Sequence, residues 1–484
     1  MSLAFTVCAA LLAAGCAQEV GRTQKQTVAR QTEDAYTRLE QRYNHHAAPA
    51  IRYSLPELTD DSDVSDYLEY AALNNPDLEA AFNRWKESLG QVGQARALPP
   101  LTINYQYAVQ EMVAANRPKR RMAGMSQTFP WYGKLEGRVG AAAEAADAAR
   151  QRYHEERLRL FYRVKSAYSE YAYLAAATRL VRQSEEGLRR LEGAARTQPA
   201  AAQDPQAVVR VQAELKARKD RLGALEDMRR PVTERLNAAL GRPGASPLPP
   251  PRPVAPRPLA ASDEQVLAAL RDASPELGAL RSEIARAERT VSLARQNYYP
   301  DFSFGLYMIN TRNMRLPRTP DSQSDDHLWM FAVHLPVWFE KYEADVREAR
   351  RRHWDALKAN VVRETELQAE VRVALYRLRD AQRKLDLYRT ALLGKARQAV
   401  AAAEAAVAER GEGLTALLDA QAVLLELELG EARAASDYEI RLAELEMLAG
   451  LDLPRGDGEV HPPGRADQGP PTRQAGQGTK GSSD

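Results

Sequence analysis

The chain has 484 residues, room for two or more domains or for one architecture used twice. Its 67 Lys and Arg against 65 Asp and Glu leave a net charge of +2. That balance gives no basic footprint, so no nucleic-acid partner is expected. The only cysteines are Cys8 and Cys16, so the body after residue 16 has no thiol for a disulfide, a zinc site or a nucleophile. The histidines are scattered, and the one adjacent pair, His45-His46, reads as a solvated loop pair. No Ser/His/Asp set, metal-ligand spacing or phosphate loop stands out. No enzyme, cofactor or resident metal is therefore expected.

Residues 1–16 form a leader. Its apolar core, Leu3 to Leu12, is too short to span a bilayer as a helix and reads as a secretion signal. Leu12-Ala13-Ala14-Gly15-Cys16 resembles a bacterial lipoprotein signal, which implies acylation of Cys16 and anchoring to a membrane surface. The competing reading is ordinary cleavage nearby with Cys16 unmodified. Residues 17–65 are polar and proline-punctuated and read as an extended segment.

Regular helix is predicted from about Asp66. It restarts at Asn75-Pro76-Asp77-Leu78, where Asn is a good N-cap and Pro suits the first helical position. Pro99-Pro100 ends it. Residues 101–110 then alternate, with Leu101, Ile103, Tyr105, Tyr107 and Val109 on one face. Arg117-Pro118-Lys119-Arg120-Arg121 is read as a basic loop and residues 122–129 as a return strand. Pro130 marks the corner from strand into helix, because proline cannot donate to a ladder but is tolerated at a helix start.

From about Lys134 to Thr197 no proline interrupts an Ala/Glu/Arg/Leu run, a helix about 95 Å long at the α-helical rise. Leu160, Val164, Ala167, Tyr171, Leu174, Thr178 and Val181 step by four and three, a coiled-coil seam. The stretch from Gln198 to Asp204 breaks it. A second helix, Val208 to Leu240, is closed by Gly241. Residues 243–262 are a proline-rich linker with no expected capacity to bury a core.

The pattern then repeats. Ser274-Pro275-Glu276-Leu277 answers Asn75-Pro76-Asp77-Leu78, and strands are predicted at about 301–311 and 328–335. Phe302, Phe304, Leu306 and Met308 share one face, as do Trp329, Phe331, Val333 and Leu335. Pro336 marks the second corner. A second long helix runs from about Lys341 to Arg410, Gly411-Glu412-Gly413 turns the chain, and Leu414 to Leu448 returns. A shift of about 207 positions superposes Lys134 on Lys341, Val139 on Val346, Val164 on Val371 and Ala167 on Ala374. The repeats are bounded as 66–242 and 263–452. Residues 453–484 read as a disordered tail.

The strands have about the length of tilted membrane-spanning strands, with aromatic outward faces. Four strands cannot close on themselves, and open edges cannot sit in hydrocarbon. The barrel must then be shared between chains, and the long helices would extend it as a tube.

The ordered set Asn75-Pro76-Asp77-Leu78, Ser126-Gln127-Thr128-Phe129-Pro130 with Gly133-Lys134, Leu236-Asn237-Ala238-Ala239-Leu240-Gly241-Arg242-Pro243, Tyr299-Pro300-Asp301-Phe302 and Leu417-Leu418-Asp419-Ala420-Gln421 resembles the TolC-like outer-membrane factors. The resemblance implies a mainly α fold with a membrane β-barrel portion. Three copies would make a twelve-stranded barrel on a long α-helical barrel in a Gram-negative outer membrane. It further implies passive export in a tripartite efflux system, with a periplasmic adaptor and an inner-membrane pump, most naturally of the RND type. The corner Gln127 to Leu135 looks most like the branch serving heavy-metal cation pumps; drugs are the other substrate class. The family's entrance acid falls on Asp419, with Ala416 where a companion acid stands; a solvated helix carboxylate or a local cap is the competing reading. The adaptor-facing tips fall on Gln198, Asp204, Arg410, Gly411 and Gly413. A lipid-anchored periplasmic coiled-coil scaffold without a pore, or a type I secretion duct, are the alternative functions.

Overall fold

In a computed structural model of the chain, residues 55, 57–114, 117–197, 205–253, 255–310, 325–410 and 413–456 are described. The chain divides into compact units at Glu57/Leu58, and the elements below belong to the unit Leu58–Asp484. They are α1 (Val64–Asn74), α2 (Pro76–Arg96), β1 (Thr102–Ala114), β2 (Arg117–Phe129), α3 (Tyr132–Thr197) and α4 (Pro205–Ala239). After the linker come α5 (Asp263–Ala273), α6 (Pro275–Gln296), β3 (Asp301–Asn310), β4 (Asp325–His334) and α7 (Phe339–Asp386). A π-helical turn (Leu387–Leu392), α8 (Leu393–Arg410) and α9 (Leu414–Ala449) complete it.

Each repeat builds a core from the same parts: a long helix, a capped pair of short helices and a returning helix. In the first, Leu160, Val164, Ala167 and Tyr171 of α3 pack on Tyr67, Ala71 and Leu78 and on Leu236 and Leu240. In the second, Leu367, Val371, Ala374 and Leu378 of α7 pack on Val266, Leu270 and Leu277 and on Leu442, Leu445 and Ala449. The α3 seam is the predicted one, except that Ala177 is fully buried beside a half-buried Thr178.

The helix junctions explain why the same dipeptides recur. Asn75 Oδ1 accepts from the amides of Asp77 and Leu78 at 2.9 and 3.2 Å, while its Nδ2 donates to the Ala239 carbonyl. Ser274 caps α6 with a single bond, its hydroxyl oxygen accepting from the Leu277 amide at 3.4 Å. Gly241 and Gly450 close α4 and α9 with φ of 71° and 81°. A Cβ on Gly241 would lie 2.6 Å from the Asn74 carbonyl oxygen, and one on Gly450 would lie 2.8 Å from that of Ala273. Both positions need glycine on two counts, left-handed backbone and close approach.

Three expectations need correction. The stretch Arg117-Pro118-Lys119-Arg120-Arg121 is not a loop: it begins β2, because β1 continues to Ala114 and supplies pairing as far as Ala114↔Arg117. The proline-rich linker does contribute to the core. Leu259 is buried, and its amide donates to the Tyr438 hydroxyl at 3.0 Å. Order also extends past residue 453: Leu453 is buried, and Leu259 and Arg455 form a β-bridge. Arg455 pairs with Glu439 at 3.2 Å, which ties residues 451–456, a strap following α9, back to that helix.

Candidate channel wall, corners and helix tips

The four strands form one antiparallel sheet in the order β1-β2-β3-β4, so β1 and β4 are its edges. Cross-strand partners share a face. One face carries the rows Ile103–Met125–Leu306–Trp329 and Gln127–Phe304–Phe331. It is open: Ile103 is 78% exposed, Tyr105 64% and Trp329 76%. The opposite face carries Asn104–Gly124–Tyr307 and Thr128–Ser303. There the buried Tyr307 ring lies over Gly124 and Gly305, leaving no room for a Cβ at either. Its hydroxyl accepts from Asn104 Nδ2 at 3.4 Å. Thr128, Ser303 and His334 are linked by side-chain hydrogen bonds of 2.8 and 2.9 Å. An apolar exposed face backed by a polar one is the alternation of a wall between lipid and water. Among the described residues no helix is long and apolar enough to cross a membrane.

At the first corner the chain leaves β2 through Pro130 and enters α3 at Tyr132. Lys134, 6% exposed, donates to the Tyr299 carbonyl at 2.9 Å and to Asp301 at 2.7 Å. The Trp131 amide donates to the same Asp301 oxygen at 3.0 Å, and the Trp131 ring stacks on Tyr299 at 5.0 Å. The first corner is thus fastened to the start of β3. The second corner, at Pro336, makes the same backbone turn, with the Lys341 amide donating to the Trp338 carbonyl at 3.1 Å as Lys134 does to Trp131 at 2.9 Å. Its rings find no such seat: Trp338 is 75% exposed and Phe339 65%.

At the far end of the helices, Leu188 of α3, Val211 and Leu215 of α4 and Leu418 of α9 form a small apolar cluster. Asp419 is next to it, and Arg210 Nη2 pairs with its Oδ1 at 2.6 Å. A second pair, Arg221–Glu426, joins the same two helices. Asp419 is thus a solvent-exposed helix carboxylate whose charge is paired across to α4. Gly413 precedes α9 with φ of 96°, and Arg410 ends α8. Cys16, Gln198, Asp204 and Gly411 lie outside the described residues. The sequence reading missed Arg210, because its partner is 209 positions away. The Asp301 clasp had one visible signal, the charged residue after Tyr299-Pro300.

The sequence matches the model of the outer membrane efflux protein family over residues 67–242 and 266–451. No curated protein sequence matches it. Several solved structures share its fold. The open-state MtrE outer membrane channel of Neisseria gonorrhoeae is 17% identical, with a TM-score of 0.65 over 80% of this chain and 89% of that one. The outer membrane protein VceC of Vibrio cholerae is 18% identical, with a TM-score of 0.62 over 80% and 96%. CusC, described in terms of transmembrane channel formation, is 14% identical, with a TM-score of 0.64 over 83% and 98%.

Proposed function

Since the chain belongs to the outer membrane efflux protein family, it is an efflux channel protein, and we propose that it works as a homotrimer whose twelve strands close one barrel. The observation that carries this reading is a four-stranded sheet with two open edges and an exposed aromatic face. Unpaired amides at such edges cost several kcal/mol each in hydrocarbon, and sister copies pair them.

The duplication supports the same closure. Positions 166 and 169 of α3 are buried serines. Their counterparts about 207 positions on, Val373 and Tyr376 of α7, are 48% and 72% exposed. Within the chain α3 is flanked by α6 and α9, and a neighbouring copy provides the equivalent cover for α7. It also seats Trp338 as Tyr299 seats Trp131.

The long helices then continue the barrel into the periplasm. Their tips, around Gln198, Asp204, Arg410, Gly411 and Gly413, meet a periplasmic adaptor and, through it, an inner-membrane pump of the RND type. Asp419 from each copy lines the entrance, its charge balanced by Arg210 in the paired state. An acylated Cys16 adds a lipid anchor, and metal cations or drugs are the exported class. The direct test is stepwise conductance in planar bilayers by purified protein. A well-folded trimer that stays silent would favour the pore-less scaffold.

A further inference from the structure

The seam between the two repeats inside one chain is a template for a second seam. One stripe of α3, Gly137, Gly140, Glu144, Asp147 and Gln151, steps by three and four and is half-buried under α6. A Cβ on Gly137 would lie 3.3 Å from the Leu293 side chain, and one on Gly140 3.3 Å from that of Arg289, so these glycines admit the larger residues of α6. Glu144 pairs with Arg289 at 4.0 Å, and Asp147 accepts from the Ser282 hydroxyl at 2.7 Å.

About 207 positions on, α7 carries the same stripe as Ala344, Arg347, Arg351, Trp354 and Lys358, and all five are exposed. The helix of the first repeat that corresponds to α6 is α2, and each begins with a capped proline, Pro275 and Pro76. Counted from those prolines, Gly278, Ser282, Arg286, Arg289 and Leu293 of α6 become Glu79, Asn83, Glu87, Gly90 and Gln94 of α2. These five are exposed too.

Charge and size are both inverted between the two sets of faces. Inside the chain the long helix brings the acids Glu144 and Asp147, and the short helix brings Arg286 and Arg289. In the exposed set α7 brings Arg347, Arg351 and Lys358, and α2 brings Glu79 and Glu87. Gly140 against Arg289 becomes Arg347 against Gly90, and a Cβ on Gly90 would meet nothing within 4 Å. Arg351, Lys358, Glu79 and Glu87 form no ion pair among the described residues, and Arg347 reaches only Glu343 of its own helix. The pair Arg152–Glu283, beside the internal stripe, falls on Ala359 and Arg84 and is not kept.

We propose that α2 of a neighbouring copy lies along this stripe of α7 in the register of the internal seam. Glu79 then stands opposite Lys358, and Glu87 and Gly90 stand opposite Arg351 and Arg347. This rests on the trimeric channel reading; it names the helix of the next copy that closes the ring and what selects it. The inversion does the selecting. α6 on this stripe of α7 would set Arg289 against Arg347 and Arg351. α2 on the stripe of α3 would set Glu87 against Glu144 and Gly90 against Gly140. Like charges and mismatched sizes disfavour both, so internal and inter-copy seams alternate around the ring.

The test treats the full-length, detergent-solubilised protein carrying Glu79→Cys and Lys358→Cys with a short bis-maleimide. Covalent dimers and trimers are expected on a denaturing gel, and neither substitution alone is expected to exceed the wild-type background. Glu79→Lys with Glu87→Lys is expected to reduce the trimer share at fixed protein concentration by about tenfold or more at low salt. Adding Arg351→Glu and Lys358→Glu to that chain is expected to restore it, which a merely local effect of the lysines would not allow. An intact trimer that gives no crosslink between positions 79 and 358, or one indifferent to the charge reversal, overturns the proposal and leaves the channel reading standing. A wild type that is monomeric in detergent rejects both. Should the reversal variant fail to fold, the crosslink decides.

Discussion

Lys134 and Asp419 both form ion pairs with distant residues, and burial separates their contributions. The Lys134 and Asp301 side chains are 8% and 31% exposed. Removing the lysine takes the ammonium donor from the Tyr299 carbonyl and leaves the partly buried Asp301 carboxylate without its counter-charge, held by the Trp131 amide. Lys134→Met is expected to cost about 2 kcal/mol, read as a lower thermal midpoint in detergent. The Arg210 and Asp419 side chains are 47% and 59% exposed, so solvent and salt screen them. Asp419→Ala is expected to cost less than about 1 kcal/mol, and added salt should shrink the difference from wild type. Glu439 supplies a pH dependence. Burial raises its carboxyl above the ordinary 4.5, and Arg455 only partly opposes this. The folded state then binds this proton more readily than the unfolded chain. Its contribution is fully present below pH 4.5 and is lost as pH rises through the raised value. Glu439→Gln should flatten that part of the stability–pH curve. A curve with an unchanged slope above 4.5 would reject the assignment.

Among the elements, the second long helix is not one regular helix. Six residues, Leu387–Leu392, wind as a π turn between α7 and α8. Tyr388 in that turn lies against α9, where a Cβ on Gly430 would come within 2.7 Å of its ring. Gly430→Ala is expected to destabilise by about 1 to 3 kcal/mol through overpacking. Tyr388→Ala in the same chain should recover part of that loss, a non-additivity readable in a double-mutant cycle. The turn was not legible in the sequence, because its Leu, Tyr, Arg, Thr and Ala residues fit α and π windings alike. The seam, the caps and the corners were legible, since each is set by local chemistry: steps of three and four, Asn or Ser before Pro, and Pro after a strand. Extension of β2 back to Arg117 was not, because the loop signals of Pro118 and its four basic neighbours were outweighed by a partner strand reaching Ala114. The same holds for the linker and the strap, whose burial at Leu259 and Leu453 depends on a groove made by distant helices.

For the whole molecule, one fact organises the rest. A duplicated unit covers the flank of its first long helix internally and leaves the matching flank of its second exposed. It fastens one corner with Lys134 and Asp301 and leaves Trp338 and Phe339 open at the other. An open sheet, an open helix flank and an open corner, all at the second repeat's free side or the sheet edges, are the features that the proposed rotation-related copies would satisfy together. The most direct measurement is native mass spectrometry of the detergent-extracted particle. Three copies of the chain, lost only on denaturation, is the predicted result; a single chain that stays folded in water without detergent would contradict it.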